Sequence, residues 1–261
     1  MNILFLGDIV GKGGRQAVSE MVPALKQEFN CQFVIANSEN VASGAGLSAK
    51  CIQEMEKVVD VFTSGDHVWD QKNFVAEIKQ FTNVLRPANV SKIQPGKGFG
   101  VFRNPACGEV AVINLVGRVF MRDGASCPFE AADRILKEIP ANINCVFVDF
   151  HAEATSEKAA MAHFLDGKVT AVVGTHTHVQ TNDAKILPKG TAFISDAGMT
   201  GAEYSILGRE IDSVLKKFTS GMPERLPVVE SGIRVDGVVI SYASGGRTAT
   251  GIKTFSRMAS I

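Results

Sequence analysis

No two cysteines in this chain form a C-x-x-C pair; the five present (Cys31, Cys51, Cys107, Cys127, Cys145) are dispersed and odd in number. That pattern fits reduced thiols better than a disulfide framework, and Cys145, beside an apolar run, reads as a small core residue. Net charge is also lacking. Lys+Arg and Asp+Glu both total 27, which excludes coating of a polyanion by bulk charge. A small phosphate-bearing substrate remains open, because a metal site supplies its own positive field. No stretch approaches the roughly 18 apolar residues that a membrane span needs, and no charged segment leads into an apolar one at the start. A cytoplasmic protein with no membrane association is expected. Low-complexity segments, long charge blocks, linkers and internal repeats are missing too.

What is present is a 261-residue chain, 45% hydrophobic and 21% charged, with ample length to bury a core. Five short apolar runs each end in residues that bind metals. Ile3–Leu6 leads into Gly7-Asp8, and Phe33–Ala36 into Asn37-Ser38-Glu39-Asn40. Val59–Phe62 precedes Gly65-Asp66-His67, Val146–Phe150 precedes His151, and Val169–Val173 precedes Gly174-Thr175-His176-Thr177-His178. Such runs read as buried strands, and reacting groups in open α/β sheets gather beyond the carboxyl ends of strands. Carboxylate, amide and imidazole at five strand ends point to one polynuclear metal site.

Helical spacing predicts helices over 14–29, 49–58, 71–80, 129–138, 157–165 and 205–218, with Ser48 and Ser156 as caps. Further strands are expected at 110–116 and 145–150, and the Pro- and Gly-rich 83–105 segment reads as loop with one strand at most. Between Gly232 and Ser244, apolar residues alternate around Asp236-Gly237, the signature of a hairpin with an Asp-Gly turn. βαβ units in front and antiparallel strands behind predict a mixed sheet, or two packed sheets covered by helices.

His176-x-His178 is the strongest local signal. In extended backbone its imidazoles would project the same way from Cα atoms about 6–7 Å apart. Taken singly, Asp8 could cap a helix, Asn37–Asn40 could be a polar turn, and Asp66-His67 could be a turn with a surface histidine. Five such coincidences at successive strand ends are a different matter. Gly7–Gly13 is neither a Walker A loop, its glycine spacing being short by one with Gly13 where Ser or Thr belongs, nor a G-x-G-x-x-G fingerprint. His163, inside a predicted helix beside Phe164 and Leu165, is excluded from the site. Asp70, Asp149 and Glu153 are candidates to orient imidazoles from behind.

This order of motifs resembles the calcineurin-like metallophosphoesterases, and more closely their YmdB-type branch, which opens on Gly-Asp-Ile-Val-Gly and continues with Asn-x-Glu-Asn. The resemblance runs through nearly the whole chain: Arg86–Asn89, Gly117–Met121, Val148–Glu153, Thr175–Thr181 and Asp196–Gly201 belong to it. It implies an α/β fold, a four-layer α-β-β-α sandwich of two mixed sheets forming one domain over 1–261, with two metal ions, Fe and/or Mn, at its rim. By motif, Asp8 and His178 would hold mainly one metal with Asn40 close by, and Glu39 would bridge both. His151 and His176 would hold the second, Asp66 would be a further metal ligand, and His67 would be the catalytic acid. The implied reaction is attack on a phosphodiester by a metal-bridging hydroxide, with a 2′,3′-cyclic nucleotide as leading substrate. The same site admits a phosphomonoesterase, a nuclease acting on RNA, or a regulatory binding protein with structural metals; a homo-oligomer is also compatible.

One residue departs from the family pattern. Asp66 stands where Gly-Asn-His has its amide, giving three carboxylates with Asp8 and Glu39. The added charge is expected to favour a more highly charged metal pair, such as one including ferric iron, and to weaken attraction for an anionic ester.

Overall fold

The computed structural model describes residues 1–122, 124–243 and 245–260. Strand β1 (Asn2–Leu6) explains the architecture, because its two faces enter two different cores. Ile3 and Phe5 face a second sheet, while Leu4 and Leu6 face helices. A strand buried on both sides has no polar face to alternate with, so it appears in sequence as an unbroken apolar run.

The chain continues through β2 (Asp8–Ile9), α1 (Gly11–Glu28), β3 (Phe33–Asn37), α2 (Ala49–Gln53), β4 (Val61–Thr63) and α3 (Phe74–Glu77). Next come β5 (Phe99–Asn104), β6 (Gly108–Val116), α4 (Pro128–Glu138), β7 (Cys145–His151), α5 (Thr155–Leu165) and β8 (Ala171–Thr175). β9 (Lys185–Ile186), β10 (Ala192–Ile194), β11 (Met199–Ala202), α6 (Ile211–Ser220), β12 (Ile233–Tyr242) and β13 (Ala249–Met258) complete it. The first sheet has the order β2-β11-β12-β1-β3-β4, with β13 on the free edge of β12; the second has the order β5-β6-β7-β8-β10-β9.

Within the first sheet β1, β3 and β4 are parallel, and within the second β6, β7, β8 and β10 are parallel. Phe33, Ile35, Val112, Phe147 and Val173 fill the space between the sheets, where Phe5 stacks on Phe147 at 5.2 Å. α1 and α2 cover the outside of the first sheet through Val18, Val22, Leu25 and Ile52. α4 and α5 cover the second through Ala132, Ile135, Met161 and Leu165. The result is the predicted α-β-β-α sandwich of two mixed sheets. Both sets of parallel strands present their carboxyl ends at one rim. No helix among the described residues is long and apolar enough to cross a membrane.

Several local expectations need correction. Asp236-Gly237 is not a turn: β12 runs straight through it, and the hairpin closes after Tyr242. A Cβ at Gly237 would lie 2.2 Å from the Phe5 carbonyl oxygen, so glycine permits close approach of β1, while Arg234 Nε clasps the buried Asp236 carboxylate. Ser244, at the end of the predicted hairpin segment, lies outside the described residues. Ser48 does cap α2, accepting from the Cys51 amide, but α5 begins before Ser156, with Ala154 at its cap. The helix expected over 205–218 starts only at Ile211, because Ile206 and Arg209 first form a bridge. The α2 helix is likewise shorter than predicted, turns following Gln53, whereas the segment predicted at 71–80 begins as a turn, forms α3 and continues as a 3₁₀ helix over Ile78–Gln80.

Candidate metal centre

Each of the five strand ends delivers its polar group to the shared rim. Asp8 follows β1 and is fully buried; the helix cap behind it is Val10, so Asp8 is not spent on capping. Glu39 and Asn40 follow β3, also buried. Asp66 and His67 follow β4 in a loop that Asn114 of β6 secures, its side chain donating to the Ser64 carbonyl and accepting the Ser64 amide. Gly65 is obligatory there, since a Cβ would lie 2.2 Å from both Glu39 Oε2 and His151 Cδ2. His151 ends β7, and His176 and His178 follow β8.

The His-x-His segment is not extended as expected. β8 stops at Thr175, and His176 and His178 take φ values of 105° and 64°, a region that non-glycine residues enter only when the surroundings hold them there. Two carboxylates do the holding. Asp8 accepts the His176 amide at 3.0 Å, and Asp196 accepts the Thr177 amide at 2.9 Å. Asp196 is itself paired with Lys158 Nζ at 2.9 Å, both fully buried. Because the backbone twists, the two imidazoles point to different places.

They enter two groups of ligand atoms. Glu39, Asp66, His151 and His176 form one, and Asp8, Glu39 and His178 the other, with the atoms of each group within 4.8 Å of one another. Glu39 belongs to both. In the first, His151 Nε2 lies 3.0 Å from Glu39 Oε2, 3.3 Å from Asp66 Oδ1 and 3.0 Å from His176 Nδ1. In the second, Asn40 Nδ2 lies 3.1 Å from both Glu39 Oε1 and His178 Nε2. His67 stands beside these groups, its Nδ1 2.7 Å from Asp70 Oδ2. His163 is exposed on α5.

Three imidazoles are anchored from behind. Thr175 Oγ1 donates to the buried Asp149 carboxylate at 2.7 Å, so its oxygen accepts from His151 Nδ1 at 2.9 Å and leaves Nε2 facing the cluster. Glu153 lies 3.2 Å from His176 Nε2, and the Leu207 carbonyl 3.4 Å from His178 Nδ1. In every case the far nitrogen meets an acceptor and the near nitrogen turns to the carboxylates, the arrangement that metal-binding histidines require. Asp149 thus acts through Thr175 and not by direct contact. Asn37 and Thr63 complete its hydrogen bonds, and burial raises its pKa to about 6.

Charge is organised in the same way. Burial alone would keep His151 neutral, but Glu39, Asp66 and Asp8 push its pKa well above the ordinary value. Burial also acts to raise the Glu39 and Asp66 carboxyls, and the neighbouring His151 cation outweighs it, holding both below the usual range. Asp8, dominated by burial, is raised. Burial, then His151, brings His176 down to about 4, and burial lowers His178, so both keep a free lone pair at neutral pH. Asp8 Oδ1 and Asp66 Oδ1 are buried without a hydrogen-bond partner among the described residues. Such orphaned acceptors cost about 1–3 kcal/mol each unless something satisfies them. Two cations on this oxygen and nitrogen donor set would satisfy both, so the residues fit a pair of metals.

A model of the YmdB-like protein family matches residues 4–255. The chain belongs to the YmdB-like family. Among curated proteins, this YmdB-like chain is 44% identical to the 2′,3′-cyclic-nucleotide 2′-phosphodiesterase of Bacillus subtilis, over 97% of this chain and 96% of that one. A solved phosphatase from Mycoplasma pneumoniae superposes with a TM-score of 0.92 at 30% identity, covering 99% of this chain and 93% of that one. The calcineurin-like phosphoesterase YfkN of Bacillus subtilis shares the fold, with a TM-score of 0.58 at 11% identity over 99% and 90% of the two chains.

Two residues that shape the YmdB-like centre, Arg122 and Lys158, carry no signal in the sequence pattern. Arg122 follows the Gly117–Met121 string directly, and its Nε lies 3.1 Å from Asp66 Oδ2. It sits on a loop between β6 and α4, where no periodicity marks it; only its place beside the family string could have drawn attention. Lys158 was missed because a lysine in a predicted helix reads as solvated.

Proposed function

We propose that this chain is a dinuclear-metal phosphodiesterase acting on 2′,3′-cyclic nucleotides, with Asp8, Glu39, Asn40 and His178 around one metal and Glu39, Asp66, His151 and His176 around the other. The single observation that supports this most is the pair of ligand groups sharing Glu39. The mixed carboxylate and imidazole donors suit iron or manganese. When bound, the metals would neutralise phosphate oxygens and acidify water. Glu39 spans the two groups and fixes their separation. Asp8, by accepting the His176 amide, ties the second sheet's loop to the first sheet's ligand. His67, flanked at Nδ1 by Asp70 Oδ2 and Arg122 Nη2, offers Nε2 to the oxygen leaving phosphorus. RNA is a further candidate substrate, and the dispersed free cysteines support a cytoplasmic setting.

The test compares 2′,3′-cyclic AMP, 3′,5′-cyclic AMP and p-nitrophenyl phosphate on protein stripped of metal and reloaded with Mn²⁺ or Fe²⁺. Metal-dependent opening of the 2′,3′ ring, faster than the other two, is expected. Preference for the monoester would replace the reading by a phosphomonoesterase. Two bound metals with no turnover of any ester would favour a regulatory binding protein.

A further inference from the structure

Asp66 carries one negative charge more than the amide of the Gly-Asn-His pattern, and the structure places a cation against it. Arg122 Nε lies 3.1 Å from Asp66 Oδ2, and its Nη1 lies 2.9 Å from Asp70 Oδ1. Asp66 Oδ1, on the other side of the same carboxylate, is buried without a hydrogen-bond partner among the described residues and faces His151 and His176. One oxygen is therefore occupied by the guanidinium, and the other is offered to the cluster. An asparagine ligand would do the same, presenting one oxygen with no net charge.

We propose that Arg122 is a positioning residue that neutralises Asp66, so that the Asp66–Arg122 pair presents one oxygen to the cluster as a neutral amide ligand would. The inference rests on the metal reading above. It revises the expectation that Asp66 makes the centre more anionic, because the added charge is balanced within one ion pair. Arg122 also meets His67, with Nη2 2.9 Å from His67 Nδ1, so one guanidinium holds both ends of the Asp66-His67-x-x-Asp70 loop. Its side chain is 51% exposed and that of Asp66 9% exposed, which makes Arg122 replaceable without opening the core.

Mn²⁺ affinity, measured by competition with a chelating dye, tests this without any need for turnover. Arg122→Gln should bind Mn²⁺ about tenfold tighter, since a cation leaves the neighbourhood of the metal. Arg122→Lys, which keeps the charge, should stay near wild type. Asp66→Asn should bind about tenfold more weakly, and the double variant should return toward wild type. A gain in affinity is a result that structural damage does not produce. The proposal is overturned if Arg122→Gln leaves Mn²⁺ affinity unchanged or weaker. It is equally overturned if Asp66→Asn fails to weaken Mn²⁺ binding, or if the double variant does not return toward wild type. A wild-type protein that binds no Mn²⁺ would overturn the metal reading as well, an outcome separate from the other two.

Discussion

The two ligand groups draw carboxylates and a neighbouring amide, Asp8, Glu39, Asp66 and Asn40, from the first sheet, whereas the second gives them three imidazoles, His151, His176 and His178. They are prepared differently. On the first sheet, Asp8 and Asp66 each keep a buried oxygen without a partner among the described residues. On the second, the nitrogens facing away from the cluster already meet Thr175, Glu153 and the Leu207 carbonyl. Asp8 and Asp66 wait with unmet acceptors, and the nitrogen donors come locked in orientation. Neither sheet holds a site alone, and the stable seam between them, with Phe5 stacked on Phe147, sets the precision of the whole.

The strongest way to break this division is to remove the one donor common to both ligand groups. Glu39→Gln is expected to lower metal-dependent hydrolysis of bis-p-nitrophenyl phosphate by about 10³-fold or more, with the circular dichroism spectrum intact. Activity retained in the metal-loaded variant would sink the shared role of Glu39. On the second sheet, Lys158→Met leaves the buried Asp196 carboxylate uncompensated, which should cost about 3–5 kcal/mol in urea unfolding and loosen the loop bearing His176 and His178. A loss below about 1 kcal/mol would mean that the backbone amides of Thr177 and Gly198 suffice for Asp196.

Thr175→Val probes orientation more gently. It severs His151 from Asp149 and should weaken metal binding by about 10–100-fold, read by dye competition, while the ligands themselves remain. Equal affinity in this variant would show that ring orientation on the second sheet is set by packing. The smallest effect concerns pH. His151 has its folded pKa raised above the ordinary 6.5, so it adds stability that is present below that value and lost as pH rises through the folded pKa. His176 and His178, shifted downward, have finished titrating by then. The melting temperature of chelated protein should fall as pH rises above about 6.5, and His151→Gln should flatten that slope; an equal slope in the variant would exclude His151 as its source.

Much of this was legible along the chain because local patterning carries it. A strand buried on both faces leaves an apolar run that ends in polar residues, so the segments carrying Asp8, Glu39, Asp66, His151 and His176 stand out along the chain. Asp236-Gly237 misled because a dipeptide suited to a turn also suits a close strand crossing. The turned backbone at His176 and His178 was hidden, since the carboxylates that hold it, Asp8 and Asp196, lie 168 and 19 residues from the amides they accept. Arg122 was invisible for a related reason: it meets Asp66 from 56 residues away, in an irregular loop.

The sequence by itself therefore determined the two sets of buried parallel strands, the types of donor at their ends and the family to which they belong. Only the tertiary structure decided how those donors divide into two groups around Glu39, which acceptor orients each imidazole, and where the charge of Asp66 is balanced. Periodicity is a property of neighbours along the chain, whereas these pairings exist only where two separately formed sheets dock against one another.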